Sequence, residues 1–170
     1  MHLETERMIV RNFVAEDAAD LQEILGDGET MEYCEPPYDI EKTKAFLASF
    51  CVARRGAVAA VDKESGKVIG YVLLNSSEEG VYEMGWIFNR SFWGRGYAYE
   101  ACQAVMEYTF TELEAHKIFA ETIDKVKSVG LMEKLGFRLE GIQRYQTKDH
   151  RGEWADLHLY GLLREEWWRA

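Results

Sequence analysis

Proline is scarce: two residues in 170, Pro36 and Pro37, side by side. Proline has no N–H to donate and restricts the residue before it. Its near-absence leaves the chain free for unbroken helices and ladders, and the one doublet marks Thr30 to Asp39 as loop. Cysteine is scarce as well. Cys34, Cys51 and Cys102 are an odd number without metal-ligand spacing, so reduced, partly buried thiols are expected rather than a disulfide framework or a metal site. The histidines His2, His116, His150 and His158 are scattered, none with a partner at metal or triad spacing. There is no Ser-His-Asp order, no Walker motif and no CxxC pair. No apolar run reaches the ~18 residues of a membrane span. The opening MHLETERMIVRNF places Glu4 and Glu6 before any apolar stretch and lacks signal-peptide anatomy. A cytoplasmic protein with no membrane partner is expected.

The surplus is in negative charge. Thirty Asp and Glu against twenty Lys and Arg give a net charge of −10, which argues against nonspecific binding to nucleic-acid phosphates. Residues 1–50 hold twelve acidic and four basic side chains, a net of −8. Such a segment is either a solvated face or the lining of a site for a cationic partner.

Hydrophobic residues make up 47%, with no repeat, low-complexity tract or linker, so one domain spanning 1–170 is expected. Arg7 to Phe13 reads as a strand, and Ala15 to Leu25 as a helix stopped by Gly26-Asp27-Gly28. After the proline loop, Ile40 to Val52 reads as a second helix. The loop's Tyr33 and Tyr38 either bind substrate or cap the core. Gly56–Val61, Lys67–Asn75 and Val81–Asn89 form an antiparallel meander with short polar turns. Tyr97 to Leu113 is a helix with Ala98, Ala101, Cys102, Val105, Met106 and Thr109 on one stripe, suited to lie flat on a sheet. A strand over His116–Ile123, a helix over Lys125–Leu135 ended by Gly136, and two strands over Phe137–Lys148 and Glu153–Leu163 complete the chain. Trp167 and Trp168 in the tail cover an edge of the core or meet a second copy; a monomer and a homodimer are both open. The fold class is α+β, a mixed, mostly antiparallel sheet of about seven strands with four main helices.

The chain is organised around Glu83 to Phe110, a strand, a glycine loop and a helix. The loop Gly94-Arg95-Gly96-Tyr97-Ala98 can present a row of backbone N–H groups and a helix N-terminus to an anion such as a pyrophosphate. A glycine pair in that place is also compatible with a tight connection alone.

Three segments carry a family likeness: Thr5-Glu6-Arg7-Met8-Ile9-Val10-Arg11, Asn89 through the loop to Ala101, and Ser128 through Glu133-Lys-Leu-Gly-Phe137. Together they resemble the Gcn5-related N-acetyltransferases (GNAT), in the branch of bacterial ribosomal-protein N-acetyltransferases of the RimJ/RimL type. The likeness covers essentially the whole chain. It implies transfer of acetyl from acetyl-CoA to a primary amine, with no metal. The acceptor it implies is a protein N-terminal α-amine. A small amine (polyamine, amino acid or antibiotic) is the alternative, and a non-catalytic acetyl-CoA sensor is a third reading. The family loop pattern, Gln/Arg-x-x-Gly-x-Gly/Ala, falls on Trp93, Gly94, Arg95, Gly96, Tyr97 and Ala98, with Trp93 at the position of Gln or Arg. The resemblance implies that Arg95–Ala98 amides hold the pyrophosphate and that Ile87 and Phe88 supply free main-chain groups to the pantetheine arm.

Glu83 is the first expected base, with its pKa raised among Tyr82, Met84 and Trp86; Glu121 is the alternate, and Glu100 is expected to be solvated. Ser128 matches the family's late-helix serine as the acid beside the leaving thiolate. The partner asparagine of the family's Asn-x-x-Ser falls on Lys125, which can donate but not accept. That departure and the lack of a tyrosine near Ser128 motivate the sensor reading.

Overall fold

The computed structural model describes residues 1–169. Eight strands form one sheet in the order β1-β2-β3-β4-β5-β6-β8-β7. They are β1 His2–Glu4, β2 Met8–Asn12, β3 Ala57–Asp62, β4 Val68–Glu78, β5 Val81–Phe88, β6 Lys117–Thr122, β7 Arg138–Lys148 and β8 Trp154–Leu163. Every neighbouring pair is antiparallel except β5 and β6, which are parallel across the α3 crossover. The mixed, mostly antiparallel α+β fold is therefore as read from sequence. The eighth strand is β1, three residues too short to carry a periodic signal.

The helices are α1 Ala18–Leu25, α2 Ile40–Phe46, α3 Tyr97–Thr111, α4 Lys127–Lys134 and a short α5 Arg164–Trp167. The expected helix over Ile40–Val52 changes pitch at Leu47 and runs to Ala53 as a π-helix. Alternation along the strands splits the core in two. One face of the sheet carries α3 and α4, where Ala101, Cys102, Val105, Met106 and Phe110 are fully buried against Met8, Val72, Met84 and Ile118. Each large apolar side chain buried there contributes about 1.5–3 kcal/mol. The other face carries α1 and α2 over Ala57, Ala59, Val68 and Tyr71.

Gly136 ends α4 with φ 89°, and the Phe137 N–H closes back on the Met132 carbonyl at 3.0 Å. Trp167 stacks on Phe110 with ring centroids 5.8 Å apart and so covers the core edge, while Trp168 is exposed. Cys51 and Cys102 are buried, Cys34 is exposed, and all three are unpaired thiols.

One contact fixes the end of β5 towards the glycine loop. Gly70 on β4 lies opposite Phe88, and the Phe88 ring occupies the space a Cβ would need. Gly70→Ala is expected to destabilise the protein by about 1–3 kcal/mol through overpacking. Urea denaturation measures this directly; an unchanged midpoint would show that the ring moves aside at no cost.

Candidate active site

The parallel ladder between β5 and β6 is short. Val81, Tyr82 and Glu83 pair with Lys117, Ile118 and Phe119, and no pairing follows, although β5 continues to Phe88 and β6 to Thr122. The strands part and leave a cleft of about 340 Å³. Its lining comes from both faces of the sheet. Met84, Trp86, Ser128 and Met132 belong to the α3–α4 side; Tyr71, Gly85, Ile87 and Glu121 belong to the α1–α2 side. The cleft is thus a passage through the sheet, and two molecules can meet in it from opposite faces.

Antiparallel alternation decides which main-chain groups face this cleft. The Asn89 N–H donates to the Ile69 carbonyl at 2.8 Å, which makes Gly70–Phe88 a non-hydrogen-bonded pair and Tyr71–Ile87 a hydrogen-bonded one. Ile87 therefore gives its main chain to Tyr71 and meets the cleft only with its side chain. The free groups belong to Met84, Trp86 and Phe88. The Phe88 carbonyl already accepts the Trp93 indole N–H at 2.7 Å. The open positions for an added strand are consequently Met84 and Trp86, not Ile87.

The glycine loop lies beyond the end of β5. Gly94 and Gly96 have φ of 70° and 83°, the left-handed region that a Cβ disfavours. Among the described residues none of the N–H groups of Gly94, Arg95, Gly96, Tyr97, Ala98 and Tyr99 has a protein acceptor. Such a row at the start of the long helix α3 fits a diphosphate. What orients it is Arg7, at the entry to β2. The guanidinium donates to the Arg95 carbonyl at 2.8 Å and to the Glu100 carboxylate at 2.7 Å, and the Arg7 N–H donates to the same carboxylate at 2.8 Å. Its plane also lies 4.2 Å from the Tyr97 ring centre. Glu100, expected to be solvated, is instead the anchor of this clamp. Burial alone would raise its carboxyl; hydrogen bonds from Thr5 and Arg7, with the Arg7 charge, outweigh burial and hold it below the ordinary range. The Arg95 side chain lies over Phe92 and Tyr97.

Two carboxylates stand where the strands part. Glu83 is opposite Phe119, and Glu121 follows two residues on along β6, on the same face. Tyr82, Met84 and Trp86 point to the other face and cannot desolvate Glu83. The carboxyl pushed up is Glu121, first by the partial loss of water in the cleft and then by the Glu83 charge. It remains open to the solvent of the cleft along one side.

Across the cleft, α4 is capped by Asp124. Its buried carboxylate accepts the N–H groups of Val126, Lys127 and Ser128 at 2.9–3.1 Å and the Ser128 hydroxyl at 3.3 Å. Ser128 is fixed facing the cleft by this cap. Lys125 is exposed, 3.9 Å from Asp156 on β8, and is not part of the cleft wall. Asp124, Arg7, Met84 and Trp86 are positions of the candidate site that the sequence reading missed. An aspartate four residues before a helical serine is a capping signal that was there to be used.

The opposite mouth is bounded by Tyr33 and Cys34 from the proline loop and by Thr147, Lys148 and Leu157 from the β7–β8 hairpin. The hairpin tip touches that loop, with His150 Nδ1 against the Glu32 carbonyl. Tyr33 lines the cleft, while Tyr38 packs edge-on against Phe46 at the core. Cys34 is exposed at its surface, but packing around its sulfur and the charges of Glu35 and Asp124 raise the thiol to about 11, which disfavours the thiolate.

The clamp carries its own pH signature. A depressed Glu100 contributes stability above the ordinary glutamate range and loses it as pH falls through its folded value. Arg7→Met is expected to cost about 1–3 kcal/mol at pH 7. The gap from wild type should narrow between pH 7 and a pH below the ordinary glutamate range, as the carboxylate takes up its proton. Urea denaturation at the two pH values tests this; an equal gap at both would mean that the contribution is packing alone.

A family model for the GNAT acetyltransferase domain matches residues 7–138. The uncharacterized N-acetyltransferase YnaD of Bacillus subtilis (strain 168) is 32% identical over 98% of this chain and 99% of its own. The crystal structure of a GNAT-family acetyltransferase from Bacillus anthracis superposes with a TM-score of 0.88 at 29% identity, covering 97% of this chain and 99% of that one. The ribosomal-protein-S5-alanine acetyltransferase of Vibrio fischeri shares the fold, with a TM-score of 0.83 at 20% identity over 98% of each chain. With the parted strands, the glycine loop and these relatives in agreement, the chain belongs to the GNAT family and is an N-acetyltransferase.

Proposed function

We propose that the cleft between β5 and β6 is the active site of an acetyl-CoA-dependent enzyme whose acceptor is a protein N-terminal α-amine. The observation that carries this reading is the pair Glu83 and Glu121 on one face at the point where the ladder opens. Acetyl-CoA supplies an activated acetyl thioester. The chain's own residues hold it: loop N–H groups from Arg95 to Ala98 donate to the pyrophosphate, and Met84 and Trp86 offer main-chain groups to the pantetheine arm. The donor enters on the α3–α4 face and the acceptor on the face of Tyr33 and the hairpin.

An amine attacks only as the free base, so a proton must leave it first. Glu121 takes that proton, directly or through one water. Its upward shift brings it nearer the amine's own pKa, and the Glu83 charge sustains the shift. The amine nitrogen bonds to the acetyl carbon as the carbon–sulfur bond breaks, and Ser128, held by Asp124, faces the departing thiolate. The choice of acceptor follows from proton affinity. An α-amine at a chain terminus has a pKa of about 7.7–8.0, against about 10.4 for a lysine-type amine. A carboxylate raised part of the way deprotonates the former at a cost lower by about 3 kcal/mol. A location in the cytoplasm is in keeping with the unpaired thiols.

Thiol release across peptides with free N-termini and a set of small amines tests the acceptor. Turnover of a peptide that is lost on blocking its N-terminus is the expected result; faster turnover of a polyamine, amino acid or antibiotic than of any peptide would transfer the function to small amines. With the preferred acceptor, Glu121→Gln is expected to lower kcat by about 10²–10³ and to abolish the acid limb of the pH profile. Glu83→Gln should keep that limb and move it to lower pH, because removing the neighbouring charge lowers the Glu121 pKa. The reverse pattern would make Glu83 the base.

A further inference from the structure

Cations around the glycine loop are held in an unusual way for so acidic a chain. Thirty acidic side chains outnumber twenty basic ones, and Arg90, Lys63 and Lys67 each lie within ion-pair distance of a carboxylate. Lys127 and Lys134 do not. Among the described residues no carboxylate lies within 4.0 Å of either ammonium. Each sits instead over a ring of the loop segment: Lys127 Nζ is 4.3 Å from the Trp93 ring centre and Lys134 Nζ is 4.3 Å from that of Tyr99. The two lysines are seven residues apart, two turns of α4, and so share the face turned to the start of α3. A ring beneath an ammonium orients it without neutralising it. The pair keeps its full charge and all its N–H donors beside the free N–H groups of Gly94–Tyr99.

An uncompensated, ordered cation pair next to a diphosphate cradle matches a ligand with a further phosphate beyond its diphosphate. Coenzyme A has that pattern: a pyrophosphate, and a separate phosphate on the ribose 3′ oxygen. We infer that Lys127 and Lys134 form the subsite for the 3′-phosphate and make the enzyme discriminate coenzyme A from its 3′-dephospho form. This rests on the acetyl-CoA reading of the cleft. The rings supply the specificity of placement. Trp93 is already tied to β5 through the Phe88 carbonyl, so the Lys127 ammonium is referenced to the same strand that receives the pantetheine arm. The presence of Trp93 in the loop then has a physical reason: the ring holds a cation instead of being one.

The test is calorimetric titration of the full-length protein, without acceptor, with coenzyme A and with 3′-dephospho-coenzyme A. Wild type is expected to bind coenzyme A about five- to tenfold more tightly, the range for one or two exposed charge contacts, with the difference shrinking as salt rises. In Lys127→Met/Lys134→Met the two ligands should bind alike, with the dephospho form held as in wild type. Trp93→Phe keeps a ring under Lys127 and should retain discrimination, whereas Trp93→Leu should reduce it. Equal wild-type affinities, or a double variant that weakens both ligands by the same factor, would overturn the subsite. Wild type that binds neither ligand would instead remove the acetyl-CoA reading itself. Thermal melting of each variant confirms that it is folded, and single lysine variants replace the double one if it is not.

Discussion

The structure depends on a ladder that stops. β5 and β6 are held together by pairs up to Glu83 and Phe119, and then each strand keeps its outer partner while losing the inner one. Buried backbone groups without partners are costly. An opening in the middle of a sheet is therefore stable only where something else meets those groups. Solvent does so in the open cleft, and a ligand that runs parallel to the strands does so better. Glu121 stands at the same opening, its carboxyl raised by partial burial and by the Glu83 charge. The end of the ladder thus leaves free main-chain groups and a raised carboxyl side by side.

What keeps the strands parted is packing on either side. Phe88 lies over Gly70 at one end of β5, Trp93 ties its last carbonyl to the loop, and Asp124 caps α4 against β6. The loop itself would be free to turn its N–H groups inwards were its carbonyl side not held. Arg7 does this from a strand far away in sequence, contacting Arg95 and Glu100 at once. The entry to the N-terminal strand β2 therefore helps to shape the glycine loop.

The sequence showed what short-range patterns encode. The apolar runs and polar turns of β3–β5, the apolar stripe of α3 and Gly136 were all legible because their causes lie within a few residues. The glycine loop was legible because positive φ at Gly94 and Gly96 selects glycine. Arg7–Glu100 was not, since a contact across 93 residues leaves no local mark. The assignment of free main-chain groups to Ile87 failed for a different reason. Period two shows which side chains share a face, but only the pairing partner shows which edge of the strand each N–H and C=O points to. Glu83 and Glu121 were both visible as candidates. The one that is raised is Glu121, through partial burial and the Glu83 charge, a property of where the ladder stops.

The acidic surplus now has a place in this scheme. The loop between α1 and α2 is carboxylate-rich, with Asp27 and Glu29 drawn onto Arg90 and Glu35 onto Lys42. That face borders the mouth lined by Tyr33 and Cys34, where a cationic acceptor would enter. The opposite face presents free N–H groups and ring-held lysines to a polyanionic donor. A single net charge of −10 conceals this division. On the proposed reading, long-range attraction favours the acceptor on one side of the sheet, and short-range donors favour the coenzyme on the other. In the proposed reaction the two substrates meet where the sheet is open, beside Glu121, whose carboxyl partial burial and the Glu83 charge raise.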